Sequence, residues 1–347
     1  MQKNHYSQID NPIFSKFFGA LPNGEAVSLF TLSNNKGAEV SIMNYGATIT
    51  SLKIPVSDTK KVDVVLGFEN LYDYIDSFDL PSAPYLGAVV GRYAGRINNA
   101  TFILNGSKIE LIKNHGSHSI HGGINGFSKV VWDVKTLSSN EIILEYISQD
   151  NEENFPGMLT TQIKYTLTDE NELKVSMMAK STEATIINLT QHSYFNLDGH
   201  SSDIINQELC VNSSKSLETN INNIPTGKFF ELARSPFDFT TPKECPTKID
   251  NTFVLNRESE VAATLFSTKN KLKMSVFTNQ PAVHIYVGGN CFNQIKGKEN
   301  ASYHPLSGIC FEAQNFPDAP NHSHFPSSFL PKGAVYNHET TFKFEIF

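Results

Sequence analysis

The run Ile309, Cys310, Phe311 reads as a buried β-strand, yet the next residue is Glu312. A carboxylate is costly to bury unless something pairs with it or uses it. Pairing would make Glu312 the partner of Arg92 or Arg96. Use would make it a general base. His192, in the apolar stretch "NLTQHSYFNL", is its natural counterpart. An imidazole in a partly apolar site gives and takes a proton near neutrality, whereas the ordinary alternative is a core histidine satisfied by hydrogen bonds. The aromatic neighbours Tyr194 and Phe195 could line a small pocket beside it.

Two further stretches, "GRYAGRI" and "HGSHSIHGG", combine titratable groups with tight-turn glycines. Arg96 offers a planar fork of donors that could grip hydroxyls, or it could serve only as an ion-pair partner. His115, His118 and His121 follow an H-x-x-H-x-x-H spacing. In a strand, neighbours at that spacing point to opposite faces, and in a glycine-rich loop it fixes no geometry. No C-x-x-C pair or helical histidine pair supports it, so no metal site is expected. His115 and His118 are expected to be solvated loop residues. His121 precedes two glycines that let backbone and ligand approach closely, so a binding role and a plain loop role stand level.

The elements that must position these groups are strands. Ile163, Tyr165 and Leu167 alternate before "TDEN", and Leu173, Val175, Met177 and Ala179 alternate after it, which predicts a hairpin. Asn105-Gly106 between Phe102/Leu104 and Ile109/Leu111 predicts a second. Val130, Trp132 and Val134 face Ile142, Leu144 and Tyr146 across "SSN" as a third. Further alternation spans 261–265, 272–278, 283–287 and 342–346, and no long window carries helical periodicity. The expectation is an all-β chain, a large sandwich with few short helices, forming one domain over residues 1–347. Loops rich in Gly, Pro, Asn and His ("DLPSAPYLG", "NHGSHSIHGGINGFS", "NFPDAPNHSHFPSS") would carry the binding chemistry.

The 347 residues are 39% hydrophobic and only 18% charged, with 25 Phe and 12 Tyr, a globular and strand-rich composition. A net charge of -7 gives no basic footprint for nucleic acid or an anionic membrane. A small or neutral ligand fits better. Four well-separated cysteines (Cys210, Cys245, Cys291, Cys310) suggest reduced thiols in a cytoplasmic protein. The polar N-terminus shows no signal-peptide core, and no later segment approaches a membrane span.

Taken in order, "PYLGAVVGRYAGRI", "SIHGGINGFSKVVWDV", "TQHSYFNL" and "GICFEAQNFPDA" resemble the aldose 1-epimerase (galactose mutarotase) family. The likeness runs from "NYGATITSL" to "TTFKFEIF", and the ordered set is specific where each motif alone is weak. The resemblance implies a galactose mutarotase-like β-supersandwich that interconverts the α and β anomers of free hexoses such as galactose and glucose. It also implies Glu312 as general base and His192 as general acid, on opposite sides of the sugar. Arg96, His121 and Asp250 match positions that hold the hydroxyls and ring oxygen, and Tyr194 and His284 match positions lining the same pocket. Gly95 and His284 depart from the usual pattern, an asparagine and a glutamine or aromatic respectively. No nucleotide, metal or other cofactor is implied, and the assembly would be a monomer or homodimer. Two rival readings are a hexose 6-phosphate or modified-sugar enzyme, which would want an arginine cluster at the pocket mouth, and a non-catalytic sugar-binding protein, which would not need an acid–base pair.

Overall fold

The alternation in Leu159–Leu167 and Glu172–Ser181 becomes two adjacent antiparallel strands, with every apolar position on the inward face buried. The computed structural model describes residues 15–288 and 296–347; Cys291 and the first fourteen residues lie outside them. The hairpin predicted at Asn105-Gly106 joins Thr101–Leu104 to Ser107–Glu110, and both turn residues take the positive φ that a tight two-residue turn demands (51° and 83°). The third hairpin pairs Asp133–Leu137 with Glu141–Ser148, while Val130 and Trp132 precede its first strand.

Three larger sheets carry the molecule. One has five strands, consecutive in sequence from Ser15–Ala20 to Lys60–Asp63. A nine-stranded sheet includes the two hairpins at 133–181, and its centre is Val335–Ile346, held between Glu172–Ser181 and Leu272–Thr278. A six-stranded sheet runs Tyr194–Phe195, Ile309–Gln314, Ala282–Val287, Ile249–Val254, Lys215–Thr219, Pro225–Glu231. One apolar cluster draws on all three: Val40 and Leu52, Ile163 and Phe342, Phe253 and Phe311. That shared burial is the sandwich core. The α-helix among the described residues, Leu71–Ser77, is a single short piece capped by Asn70.

The strand that carries Glu312 is Ile309–Gln314, and all six residues are buried. Ile309 and Phe311 face the core, while the alternate positions Cys310, Glu312 and Gln314 face the other side of the sheet. Glu312 therefore sits inside the strand and not at its end. It reads as part of an apolar run because both faces of this strand are covered.

Candidate active site

Strand register aligns the chemistry. Thr252 pairs with His284, and His284 with Glu312, so these three form a row across adjacent strands. One pleat away, Asp250 pairs with Tyr286, Tyr286 with Cys310, and Cys310 with Tyr194. Side chains two residues apart in a strand share a face, so both rows open onto one cavity of about 610 Å³ whose walls include Tyr85, Arg96, His121, His192 and Glu312.

His192 enters from a crossing point. Thr190–Gln191 pairs with Val89–Val90, and Tyr194–Phe195 pairs with the Glu312 strand, so His192 lies where the chain passes from one pairing to the other. Its Nε2 stands 3.4 Å from Glu312 Oε1, with side chains 6% and 4% exposed. The two groups lie side by side, not across a gap. His192 Nδ1 is 3.7 Å from the sulfur of Cys310. Aromatic rings of Tyr85, His121 and Tyr194 surround the imidazole at 5.9, 5.6 and 5.4 Å between centroids. Burial pushes the Tyr85 phenol up to about 12, so it stays a neutral donor.

Asp250 is the hub of the opposite wall. Its carboxylate accepts from Asn223 Nδ2 at 2.9 Å and meets His284 Nε2 at 3.0 Å and Arg96 Nη2 at 3.9 Å. Burial alone would raise its pKa, but the His284 hydrogen bond and charge and the Arg96 charge bring it down to about 2. The same contact, with help from the Glu312 charge, raises His284 against the lowering effect of burial. Thr252 Oγ1 fixes the other His284 nitrogen at 2.8 Å. His121 moves the other way: burial, then the charges of His192, Arg96 and His284, hold it well below the usual histidine value. Its Nδ1 accepts from the Gly95 amide at 3.3 Å, which leaves Nε2 to carry the proton. The Nε of Arg96 is buried with no hydrogen-bond partner among the described residues. A buried donor in a cavity wall is a place for a ligand oxygen.

The loops behave as their composition suggested. Pro81, Ser82 and Tyr85 come from the first, His115, His121 and Ile124 from the second, and Pro317 from the third. Gly122 permits the second loop to lie against the backbone, because a β-carbon there would stand 1.9 Å from the Gly91 oxygen. Gly95 takes a φ of +79°, and a side chain there would crowd Pro317 at 2.9 Å.

All seven predicted site residues, Glu312, His192, Arg96, His121, Asp250, Tyr194 and His284, converge on the cavity. The ion-pair reading of Glu312 does not hold. Arg92 is turned away, its guanidinium caged by Ser148 Oγ and the carbonyls of Gln149 and Gly157 at 2.6–2.8 Å, and Arg96 meets Asp250 instead. His115 is exposed as expected, but His118 is buried, and its Nδ1 is satisfied there by accepting from the Asn99 amide at 3.0 Å. Sequence reasoning did not single out Tyr85, Asn223, Tyr286, Cys310 or Gln314. Strand alternation could have found Tyr286, Cys310 and Gln314, each two residues from a residue already chosen. Asn223 sits in a turn and offered no such signal.

A family model described as aldose 1-epimerase matches residues 28–343. Galactose mutarotases of Sus scrofa and Homo sapiens are each 38% identical over 341 residues, spanning 95% of this chain and 97% of theirs. The aldose 1-epimerase of Escherichia coli (strain K12) is 32% identical over 340 residues, with 93% and 96% covered. Among solved structures, a galactose 1-epimerase from Lactobacillus acidophilus NCFM aligns with a TM-score of 0.82 at 27% identity over 95% of this chain and 98% of that one. An aldose epimerase homologue from C. elegans aligns at 0.85 with 26% identity, covering 92% and 98%.

Proposed function

This chain belongs to the aldose 1-epimerase family, and from that premise we propose how its residues carry out the family's interconversion of the α and β anomers of free hexoses. Glu312 takes the proton of the C1 hydroxyl while His192, as imidazolium, gives its Nε2 proton to the ring oxygen as the C1–O5 bond breaks. The open aldehyde turns about C1–C2 and presents its other face. On closure O5 attacks C1, His192 recovers the O5 proton at Nε2, and Glu312 returns its proton to O1. The electron pair and both protons end where they began, with only C1 inverted. Both oxygens are bonded to C1, so adjacent proton carriers reach them together.

The observation that carries this reading is the buried Glu312–His192 contact at 3.4 Å on the cavity wall. Positioned acid–base groups contribute roughly 10²- to 10⁴-fold in rate, and holding the sugar in place adds more. Arg96, His121, Asp250, Tyr194 and His284 are assigned to the hydroxyls and ring of the sugar, galactose or glucose. The chemistry oxidises nothing and transfers no group, so two proton carriers suffice and no cofactor is invoked. Arg96 and Lys129 are the lysine and arginine side chains lining the cavity among the described residues, short of the arginine cluster a sugar phosphate would call for. We read the chain as one domain, since its apolar cluster spans all three sheets. The unpaired thiols of Cys210, Cys245 and Cys310 support a cytoplasmic setting. No helix among the described residues is long and apolar enough to cross a membrane.

Optical rotation of freshly dissolved α-D-galactose and α-D-glucose tests the proposal. Wild type is expected to hasten anomeric equilibration, and Glu312→Gln, nearly isosteric but not basic, to lose turnover while keeping its fold. A Glu312→Gln variant with wild-type kcat removes Glu312 from the role.

A further inference from the structure

Mutarotation by an acid–base histidine makes a demand on the ring nitrogen that does not touch the sugar. His192 must release and recover its proton at the same atom, Nε2. That requires the other nitrogen, Nδ1, to keep its own proton throughout, and a buried N–H must have an acceptor. In most catalytic histidines the orienting partner is a carboxylate or a backbone carbonyl. Here the polar atom set against Nδ1 is the sulfur of Cys310, 3.7 Å away.

We propose that Cys310 is a positioning residue for His192: its sulfur accepts the Nδ1–H and so confines the imidazole's proton traffic to Nε2. The inference rests on the reading of His192 as the proton carrier. Cys310 is fully buried on the Glu312 strand, two residues from Glu312 and on the same face. Its cross-strand partner Tyr194 supplies a hydrogen bond to the thiol and lines the same cavity. Burial, then the Glu312 charge, pushes the thiol well above its ordinary value, so it stays neutral beside the imidazole. A neutral sulfur is a weak acceptor. It orients the ring without the grip a carboxylate would exert on the imidazolium, which leaves the Nε2 proton easy to give up.

Cys310, His192 and Glu312 could also be viewed as metal ligands, since one donor atom from each lies within 4.8 Å of the others. The close contacts argue for a relay. Thiol and carboxylate meet opposite nitrogens of one imidazole, at 3.7 Å from Nδ1 and 3.4 Å from Nε2, so they bracket the ring and do not surround a common point.

The test pairs imidazole ¹⁵N spectroscopy with polarimetry on wild type, Cys310→Ala and Cys310→Ser. In its neutral form, wild-type His192 is expected to show the Nδ1–H tautomer, and Cys310→Ala a shift toward Nε2–H. The alanine variant should lose about tenfold or more in kcat with KM within twofold. Cys310→Ser, which restores a polar acceptor, should recover most of the kcat and the Nδ1–H signal. An Nε2–H tautomer in wild type overturns the proposal, as does an alanine variant with unchanged tautomer and kcat. If Cys310→Ala fails to fold, the tautomers of wild type and Cys310→Ser decide. Loss of mutarotation in wild type would defeat the functional reading instead, because the tautomer is measured without substrate.

Discussion

In the mechanism we propose, Glu312 and His192 divide the reaction between them while Arg96 and Asp250 hold the sugar, and the two kinds of role separate kinetically. His192→Asn is expected to lower kcat and also raise KM, because hydrogen bonds to the sugar change with the chemistry. Arg96→Ala and Asp250→Ala should act mainly on KM. Each removes a hydrogen bond to a charged group, worth about 1.5–3 kcal/mol, so KM should rise roughly ten- to a hundredfold. Steady-state polarimetry over a range of galactose concentrations checks this, and an unchanged KM counts against the assignment. At this scale Glu312 and His192 were legible as candidates because a carboxylate in an apolar run and a histidine among aromatics are both costly unless used. Alternation puts Cys310 on the Glu312 face, but its place beside His192 was not legible. A buried cysteine in a strand is ordinary, and only the fold brings it against His192, 118 positions away in sequence.

Among the elements, the six-stranded sheet sets the active-site spacing. Cross-strand register places Thr252, His284 and Glu312 side by side, so the Asp250–His284 contact is built into strand pairing and does not depend on a loop. That contact has a pH signature. Folding raises the His284 pKa above its ordinary 6.5, so the folded state binds this proton more tightly than the unfolded chain does. The resulting stability is complete below 6.5 and is lost as pH rises through the raised value. Wild type is therefore expected to melt above His284→Gln at pH 6, with the gap narrowing toward pH 9. Differential scanning calorimetry at both values reads it, and a gap that widens with pH contradicts the assignment. Hairpins at 101–110, 133–148 and 159–181 were legible because alternation and turn chemistry are local signals. The order of strands in the six-stranded sheet was not, since its neighbours come from residues 194, 309, 282, 249, 215 and 225, and no local pattern encodes such distant pairing.

For the molecule as a whole, a buried charge cluster joins the first sheet to the segment that precedes the Glu312 strand. Lys298 Nζ meets Asp63 Oδ2 at 2.7 Å, His200 Nε2 lies 3.5 Å from the same oxygen, and the Tyr303 hydroxyl bonds the Gly67 carbonyl at 3.0 Å. Removing one partner leaves a buried charge uncompensated, which costs about 3–5 kcal/mol. Lys298→Met is expected to lose stability on that scale in chemical denaturation, and a loss below 1 kcal/mol would show the cluster to be incidental. Composition gave no hint of it, because a lone lysine in a loop usually faces water. The central place of Val335–Ile346 in the nine-stranded sheet bears on biosynthesis. Both of its neighbours are translated earlier, so during elongation their inner edges stay open, with unsatisfied amides and apolar faces, until residues near 346 leave the ribosome. Until then the chain offers two sticky margins to any other strand nearby, and chaperone occupancy should persist until that strand inserts.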